Sequence, residues 1–172
     1  MAPPEEQGQM SSARALEFEV AERLMAQGRT LAVAESCTGG LICHRLTEVP
    51  GISGCLLGGV VAYSNTAKRT LLGVPEEVLL RWGAVSAQAA TRMARGVRLV
   101  FSSDWGLSVT GICGPSGGTP EKPVGMTFVG LSGPAGDSHR EYRFQGTRSR
   151  IKRQASLESL RFLLDAIQLP AT

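Results

Sequence analysis

The sequence predicts an α/β fold of three layers, an α/β/α sandwich in which helices cover both faces of a mixed sheet. Two observations carry this. Short apolar, β-prone segments alternate with segments whose apolar residues recur every three or four positions, the pattern of strands and helices in alternation. Near the end a strand pair is joined by Gly133-Pro134-Ala135-Gly136, a hairpin-like turn, so the sheet is mixed rather than wholly parallel. At 172 residues the chain has the length of one domain, and 42% hydrophobic with 19% charged residues excludes disorder, collagen and coiled coil as its main class.

Residues 1–10 are mostly Pro, Glu, Gln and Gly and read as a disordered tail, leaving residues 11–172 as a single domain. Ala13, Leu16, Val20, Ala21 and Leu24 form a helical stripe that Gly28 stops. Thr30 to Ala34 is a buried strand, and it runs through Glu35-Ser36-Cys37-Thr38-Gly39-Gly40 into a helix with Leu41, Ile42 and Leu46, ended by Pro50-Gly51. Gly59 to Tyr63 reads as a strand, with Ser64-Asn65 capping a short helix through Lys68 and Leu72. A further short helix starts near Pro75 and stops at Gly83. Ser86 caps the next, whose apolar face is Ala90, Met93, Ala94, Val97 and Phe101. Trp105, Leu107 and Val109 alternate with Gly106, Ser108 and Thr110 as in a half-buried strand, which enters the loop Gly111 to Pro123. Val124 to Leu131 and Arg140 to Phe144 are strands, the second with Tyr142 and Phe144 on one face. Leu157, Leu160, Leu164 and Ile167 mark a closing helix.

The net charge of +3 is spread along the chain and aromatics are 5%, so the concentrated basic face with interleaved aromatics of a nucleic-acid domain is missing. The longest apolar stretch, Cys55 to Tyr63, is about half of the ~20 residues a spanning helix needs, and the acidic N-terminus has no apolar targeting core. Neither nucleic acid nor membrane is therefore an expected partner. Four cysteines without paired spacing fit a reducing cytosol, and a cytoplasmic location is expected. With only His44 and His139 beside them, no grouping has zinc-ligand spacing. The oligomeric state is left open, a homo-oligomer included.

Chemistry is suggested at four places. Ser36 lies in a turn between a buried strand and a helix, where the N–H groups of Thr38, Gly39 and Gly40 can hold an oxyanion, or where Ser36 or Thr38 simply caps the helix. Cys37 is a rival nucleophile, or a small buried cysteine, since His44 stands seven residues away. The base for a serine is sought among lysines, of which there are only Lys68, Lys122 and Lys152. Lys68 shares a strand end with Tyr63, and its alternative is an exposed lysine on an amphipathic helix. Gly114, Gly117 and Gly118 with Lys122 offer clustered N–H groups suited to phosphate or carboxylate, or a ligand-free glycine loop. Arg148, Arg150, Lys152 and Arg153 put positive charge at a helix start, where an anion would compensate. A solvated basic turn is the bland alternative, more so for Arg150 and Lys152 than for Arg148.

AESCTGG at 34–40, PGISG at 50–54, GGVVAYSNTAKRTLLGV at 58–74, GAVS at 83–86 and TGICGPSGGTPEKPVG at 110–125 together resemble the C-terminal domain of the competence-damage-inducible CinA family, in the stand-alone form. The resemblance covers nearly everything after the tail. It implies an α/β/α sandwich and an amidohydrolase that removes ammonia from nicotinamide mononucleotide to give nicotinic acid mononucleotide. The family's serine falls on Ser36, its tyrosine on Tyr63 and its lysine on Lys68, which become nucleophile, proton-orienting group and base. Glu35, Thr38, Gly39, Gly40, Thr110, Gly114, Gly117, Gly118, Lys122 and Arg148 are the expected substrate-binding residues, and no metal or organic cofactor is expected. Cys113 departs from the pattern, standing where a small residue such as alanine is expected. The contrasting expectation is a catalytically weak nucleotide-binding or regulatory module of the same fold.

Overall fold

Sequence-encoded stops and caps fix the order of elements. In the computed structural model residues 15–168 are described, so the expected tail and Ala13 lie outside them. The helices are α1 (Leu16–Ala26), α2 (Leu41–Thr47), α3 (Asn65–Leu72), α4 (Glu76–Trp82), α5 (Ala87–Phe101) and α6 (Arg148–Gln168). The strands are β1 (Leu31–Glu35), β2 (Leu56–Val61), β3 (Trp105–Gly111), β4 (Met126–Gly133) and β5 (Gly136–Arg143). Ser64 and Ser86 cap α3 and α5, their hydroxyls accepting from the N–H of Ala67 and Ala89.

The sheet runs β2-β1-β3-β4-β5. β1 is parallel to β2 and β3, whereas β4 is antiparallel to β3 and β5, so the sheet is mixed. Helices cover both faces, as the sequence predicts. Leu31 and Val33 of β1 pack with Val20, Leu24, Ile42, Leu46 and Leu160 of α1, α2 and α6. Ala32 and Ala34 pack with Leu72, Leu79, Met93 and Val97 on the side of α3, α4 and α5. Small residues on this second face let α5 lie close to the sheet: a Cβ on Gly106 would overlap the Ala94 carbonyl, and Ser108 donates to the Ala90 carbonyl at 2.6 Å. The same closeness seats α3, because a Cβ on Gly96 would overlap the Leu72 carbonyl.

Five expectations are corrected. β3 is central and covered on both faces, so Ser108 and Thr110 are buried, with hydroxyls satisfied by the Ala90 and Ala84 carbonyls. β2 begins and ends earlier than expected, since Ala62 and Tyr63 leave the strand. β4 is shifted two residues onward. β5 starts at Gly136 rather than Arg140, an exposed edge strand whose polar first half carries no apolar signal. Tyr142 does stack on Phe144, ring centroids 5.4 Å apart. In α6, Leu157 is only partly buried, and Ile151, Ala155 and Leu163 join the expected Leu160, Leu164 and Ile167 in the core.

Candidate active site

Parallel register builds the site. Glu35 pairs with Val61 of β2 and with Val109 of β3, so β1 and β2 end level while β3 runs two residues further, to Gly111. The Ala62 N–H donates to the Glu35 carbonyl at 2.8 Å and the Ser36 N–H to the Val109 carbonyl at 3.0 Å, which holds the first residues beyond the strands side by side. From β1 the chain crosses to β2 over one face through α2, and from β2 to β3 over the other through α3, α4 and α5. The crevice between the ends of β1 and β3 is thus a topological switch point, the usual ligand site of such sheets.

Lys68 sits one turn into α3, directly after the β2 end, and is 1% exposed. Its Nζ donates to the carbonyls of Ala62 at 2.9 Å and Tyr63 at 3.1 Å, and meets Ser36 Oγ at 2.9 Å. Burial lowers its pKa from the ordinary lysine value, with the Cys37 sulfur acting weakly the other way. A neutral amine has two N–H groups, which the two carbonyls accept, leaving its lone pair to receive the Ser36 hydroxyl proton.

Glu35 is 1% exposed and holds the turn from inside. Its carboxylate accepts from the Thr38 hydroxyl at 2.5 Å and from the N–H groups of Gly40, Ile42 and Cys43 at 3.0, 3.1 and 2.9 Å, capping α2 with a negative charge. Gly40 has φ +99°, a backbone only glycine adopts without strain. The Gly39 N–H donates to the Ser36 carbonyl at 3.2 Å. Of the three N–H groups expected for an oxyanion, those of Gly39 and Gly40 are therefore occupied. Those of Thr38 and of Cys37, the residue directly after Ser36, have no partner among the described residues.

Tyr63 reaches the site in an unexpected way. Its carbonyl holds Lys68, while its hydroxyl accepts from Arg148 Nη2 at 3.0 Å and contacts neither Lys68 nor Ser36. Arg148 also donates through Nη1 to the Gly114 carbonyl at 2.7 Å, so it bridges the mouth of the crevice. Lys152, one turn further on α6, brings its Nζ within 3.8 Å of where a Gly39 Cβ would stand. Cys37 and Cys113 meet on the wall. The Cys113 thiol lies 3.8 Å from the Cys37 carbonyl. The neighbouring Cys113 side chain and burial push Cys37 well up, whereas the Cys37 side chain, with Arg148 and Lys152 nearby, brings Cys113 down to about 7 against the opposing effect of burial. Cys37 is thus a buried, protonated thiol.

Ser36, Lys68, Tyr63, Thr110 and Arg148 line one cleft of about 180 Å³. Lys122 does not reach it, because Nζ donates to the carbonyls of Trp82 at 2.6 Å and Val85 at 2.7 Å. Gly117 and Gly118 also stand outside the lining. Gly118 lies where a Cβ would strike the Val124 backbone, so its absence of a side chain serves chain folding. The Thr110 hydroxyl is engaged with the Ala84 carbonyl. A larger depression of about 390 Å³ between α4, α5 and β5 contains Trp82, Arg95 and His139, but Arg95 is paired with Asp137 at 2.7 Å and no nucleophile stands against a base there. The chemistry belongs to the smaller cleft. Among the described residues, no group of three or more His, Cys, Asp or Glu is placed to hold a metal ion, and no helix is long and apolar enough to cross a membrane.

A family model described as the CinA C-terminal domain matches residues 13–167. The chain belongs to this family. A CinA-like protein of Synechococcus sp. (strain CC9311) is 59% identical over 131 residues, covering 76% of this chain and 31% of that protein. One from Anaeromyxobacter sp. (strain K) is 48% identical over 149 residues, covering 87% and 36%. The chain spans about a third of the length of the curated relatives it matches. The crystal structure of competence/damage inducible protein CihA from Agrobacterium tumefaciens superposes with a TM-score of 0.83 at 38% identity, over 93% of this chain and all of that one.

Within this CinA fold the sequence reading missed two contributions. Lys152 looked like one more residue of a solvated basic turn, although its spacing of four from Arg148 puts both on one helix face. Glu35 was grouped with substrate-binding residues, although a carboxylate just before a helix start is a natural cap.

Proposed function

We propose that this chain hydrolyses the carboxamide of nicotinamide mononucleotide, releasing ammonia and nicotinic acid mononucleotide. The observation that carries the reading is the buried Lys68 Nζ, 2.9 Å from Ser36 Oγ and without a carboxylate partner among the described residues. Ser36 Oγ attacks the amide carbon as its proton passes to Lys68 Nζ. The carbonyl oxygen becomes an oxyanion, for which the N–H groups of Cys37 and Thr38 are the unoccupied donors. Lys68 returns the proton to the amide nitrogen, the C–N bond breaks and ammonia leaves an ester on Ser36. Water then attacks the ester with Lys68 again taking the proton, and the carboxylic acid leaves as Ser36 is restored. Tyr63 acts by fixing Lys68 through its carbonyl and Arg148 through its hydroxyl.

The cleft, about 180 Å³, is below the ~300–1,000 Å³ of clefts that enclose a whole ligand, so it suits the pyridine ring while ribose and phosphate lie at the mouth. Arg148 and Lys152 are the cations available to the phosphate there. No partner beyond this small molecule is needed. Incubating purified chain with nicotinamide mononucleotide, with and without a chelator, tests the reading. Chelator-insensitive release of ammonia and the acid in equal amounts supports it, and no release contradicts it.

A further inference from the structure

We propose that Cys37 and Cys113 are a peroxide-sensitive dithiol that closes to a disulfide across the wall of the Ser36 cleft. Nothing in the amide chemistry above uses either thiol, yet the fold brings them together. Cys37 follows Ser36 at the end of β1, and Cys113 lies two residues beyond the end of the adjacent strand β3. The Cys113 sulfur touches the Cys37 carbonyl at 3.8 Å, and both side chains, though almost fully buried, line the cleft where a small oxidant enters.

Their surroundings divide the labour. The Cys37 side chain, Arg148 and Lys152 favour the thiolate of Cys113, while Cys113 and burial keep the proton on Cys37. The Cys113 thiolate attacks one oxygen of hydrogen peroxide, the O–O bond breaks, and the departing hydroxide takes the Cys37 proton to become water. Cys113 is now a sulfenic acid. The Cys37 thiolate attacks its sulfur, the S–O bond breaks, and the hydroxide released becomes the second water on taking a proton from solvent. Two thiols have lost two electrons and one peroxide has gained them.

A disulfide of about 2.05 Å replaces a non-bonded contact, so closing it draws Cys37 towards Cys113 and moves the adjacent Ser36 relative to Lys68. A shift of about 1 Å at a reacting atom costs on the order of 100-fold in rate. The other two cysteines serve as internal controls. Burial and the Glu35 carboxylate push Cys43 up to about 12, and burial raises Cys55.

The test treats the reduced full chain with hydrogen peroxide near neutral pH, blocks remaining thiols with a maleimide and maps peptides by mass. The expected result is one peptide pair, Cys37 joined to Cys113 with the loss of two hydrogens, reversed by dithiothreitol and absent in Cys113→Ala and in Cys37→Ala, with Cys43 and Cys55 fully blocked. Cys113 carried to sulfinic acid without the cross-link, a different pairing, or all four thiols blocked overturns the proposal. A second arm, which rests on the deamidase reading, measures ammonia release before and after oxidation, each variant against its own reduced control. A roughly 100-fold, dithiothreitol-reversible loss in the wild type but not in Cys113→Ala is expected. An oxidised, cross-linked chain that keeps its rate overturns the link to Ser36. If the reduced chain releases no ammonia, the deamidase reading fails while the peptide map still decides the thiol pair.

Discussion

Lys68 Nζ stands 2.9 Å from Ser36 Oγ, although the two residues are 32 apart in the chain. Two parallel strands ending level put Ser36 and Ala62 next to each other, and the Ser64 cap turns α3 back so that its first turn delivers the amine to the strand ends. The pairing is a product of strand register rather than of local sequence.

Lys68→Met removes the amine while keeping an apolar stem of similar length. General-base catalysis is worth about 10²- to 10⁴-fold, so kcat for ammonia release should fall by that range. A variant within a few-fold of wild type would require another base. Lys68→Arg should be equally poor, because guanidinium stays protonated and takes no proton from serine.

The lowered pKa of Lys68 has a signed consequence for stability. The folded chain sheds this proton at lower pH than the unfolded chain, which holds it up to the ordinary value of 10.5. Between those two values the unfolded state binds more protons, so the free energy of unfolding rises with pH. Burying the ammonium is fully unfavourable below the folded pKa, and this penalty fades as pH rises through the window. The stability of wild type relative to Lys68→Met should therefore improve as pH rises from the folded pKa towards the ordinary value of 10.5 in denaturant titrations. A flat or falling difference contradicts a buried lysine with a depressed pKa.

Glu35→Gln tests the internal cap. Four donors converge on two carboxylate oxygens, and an amide offers one oxygen while adding two donors of its own. At least one buried donor loses its partner, so a loss of about 2–5 kcal/mol in unfolding free energy is expected. A change below about 0.5 kcal/mol would mean that the turn is held otherwise.

The order of elements was legible because punctuation is written locally. Gly83 stops α4, Gly73 follows α3, and Ser64 and Ser86 cap the helices they precede. The start of β5 was not, since an edge strand needs backbone partners rather than apolar side chains, and Gly136 to His139 carry neither periodicity nor branched residues. Ser36, Tyr63 and Lys68 were singled out by position, and the structure does gather them around one cleft. Their contacts were not legible, because the Tyr63 carbonyl rather than its hydroxyl meets Lys68, and backbone groups look alike in any sequence. Lys122 was drawn to the phosphate by its glycine neighbours, yet the Trp82 carbonyl at the end of α4 and the Val85 carbonyl in the turn after it hold it elsewhere.

Gly96→Ala tests how α3 is seated. The added methyl meets the Leu72 carbonyl, a backbone atom that moves only with α3, so a loss of about 1–3 kcal/mol is expected, with reduced turnover in the fraction that stays folded. Thermal unfolding measures the first and ammonia release the second. Unchanged values for both would show that α5 and α3 separate without disturbing Lys68.

Arg148→Ala and Lys152→Ala test the phosphate reading. Removing one charge-assisted hydrogen bond to the phosphate should lower kcat/KM for nicotinamide mononucleotide roughly 10- to 150-fold, with a smaller effect on the riboside that lacks phosphate. Equal fractional losses on the two substrates would show that these cations serve the fold of the mouth and not the phosphate.

The most direct measurement is ammonia release from nicotinamide mononucleotide by wild type, Ser36→Ala and Cys37→Ala at equal concentration, with unfolding midpoints recorded alongside. Ser36→Ala should retain its fold and lose turnover, while Cys37→Ala, lacking only a buried and protonated thiol, should keep most of it. Full activity in Ser36→Ala, or turnover lost in Cys37→Ala alone, would contradict a serine nucleophile paired with Lys68.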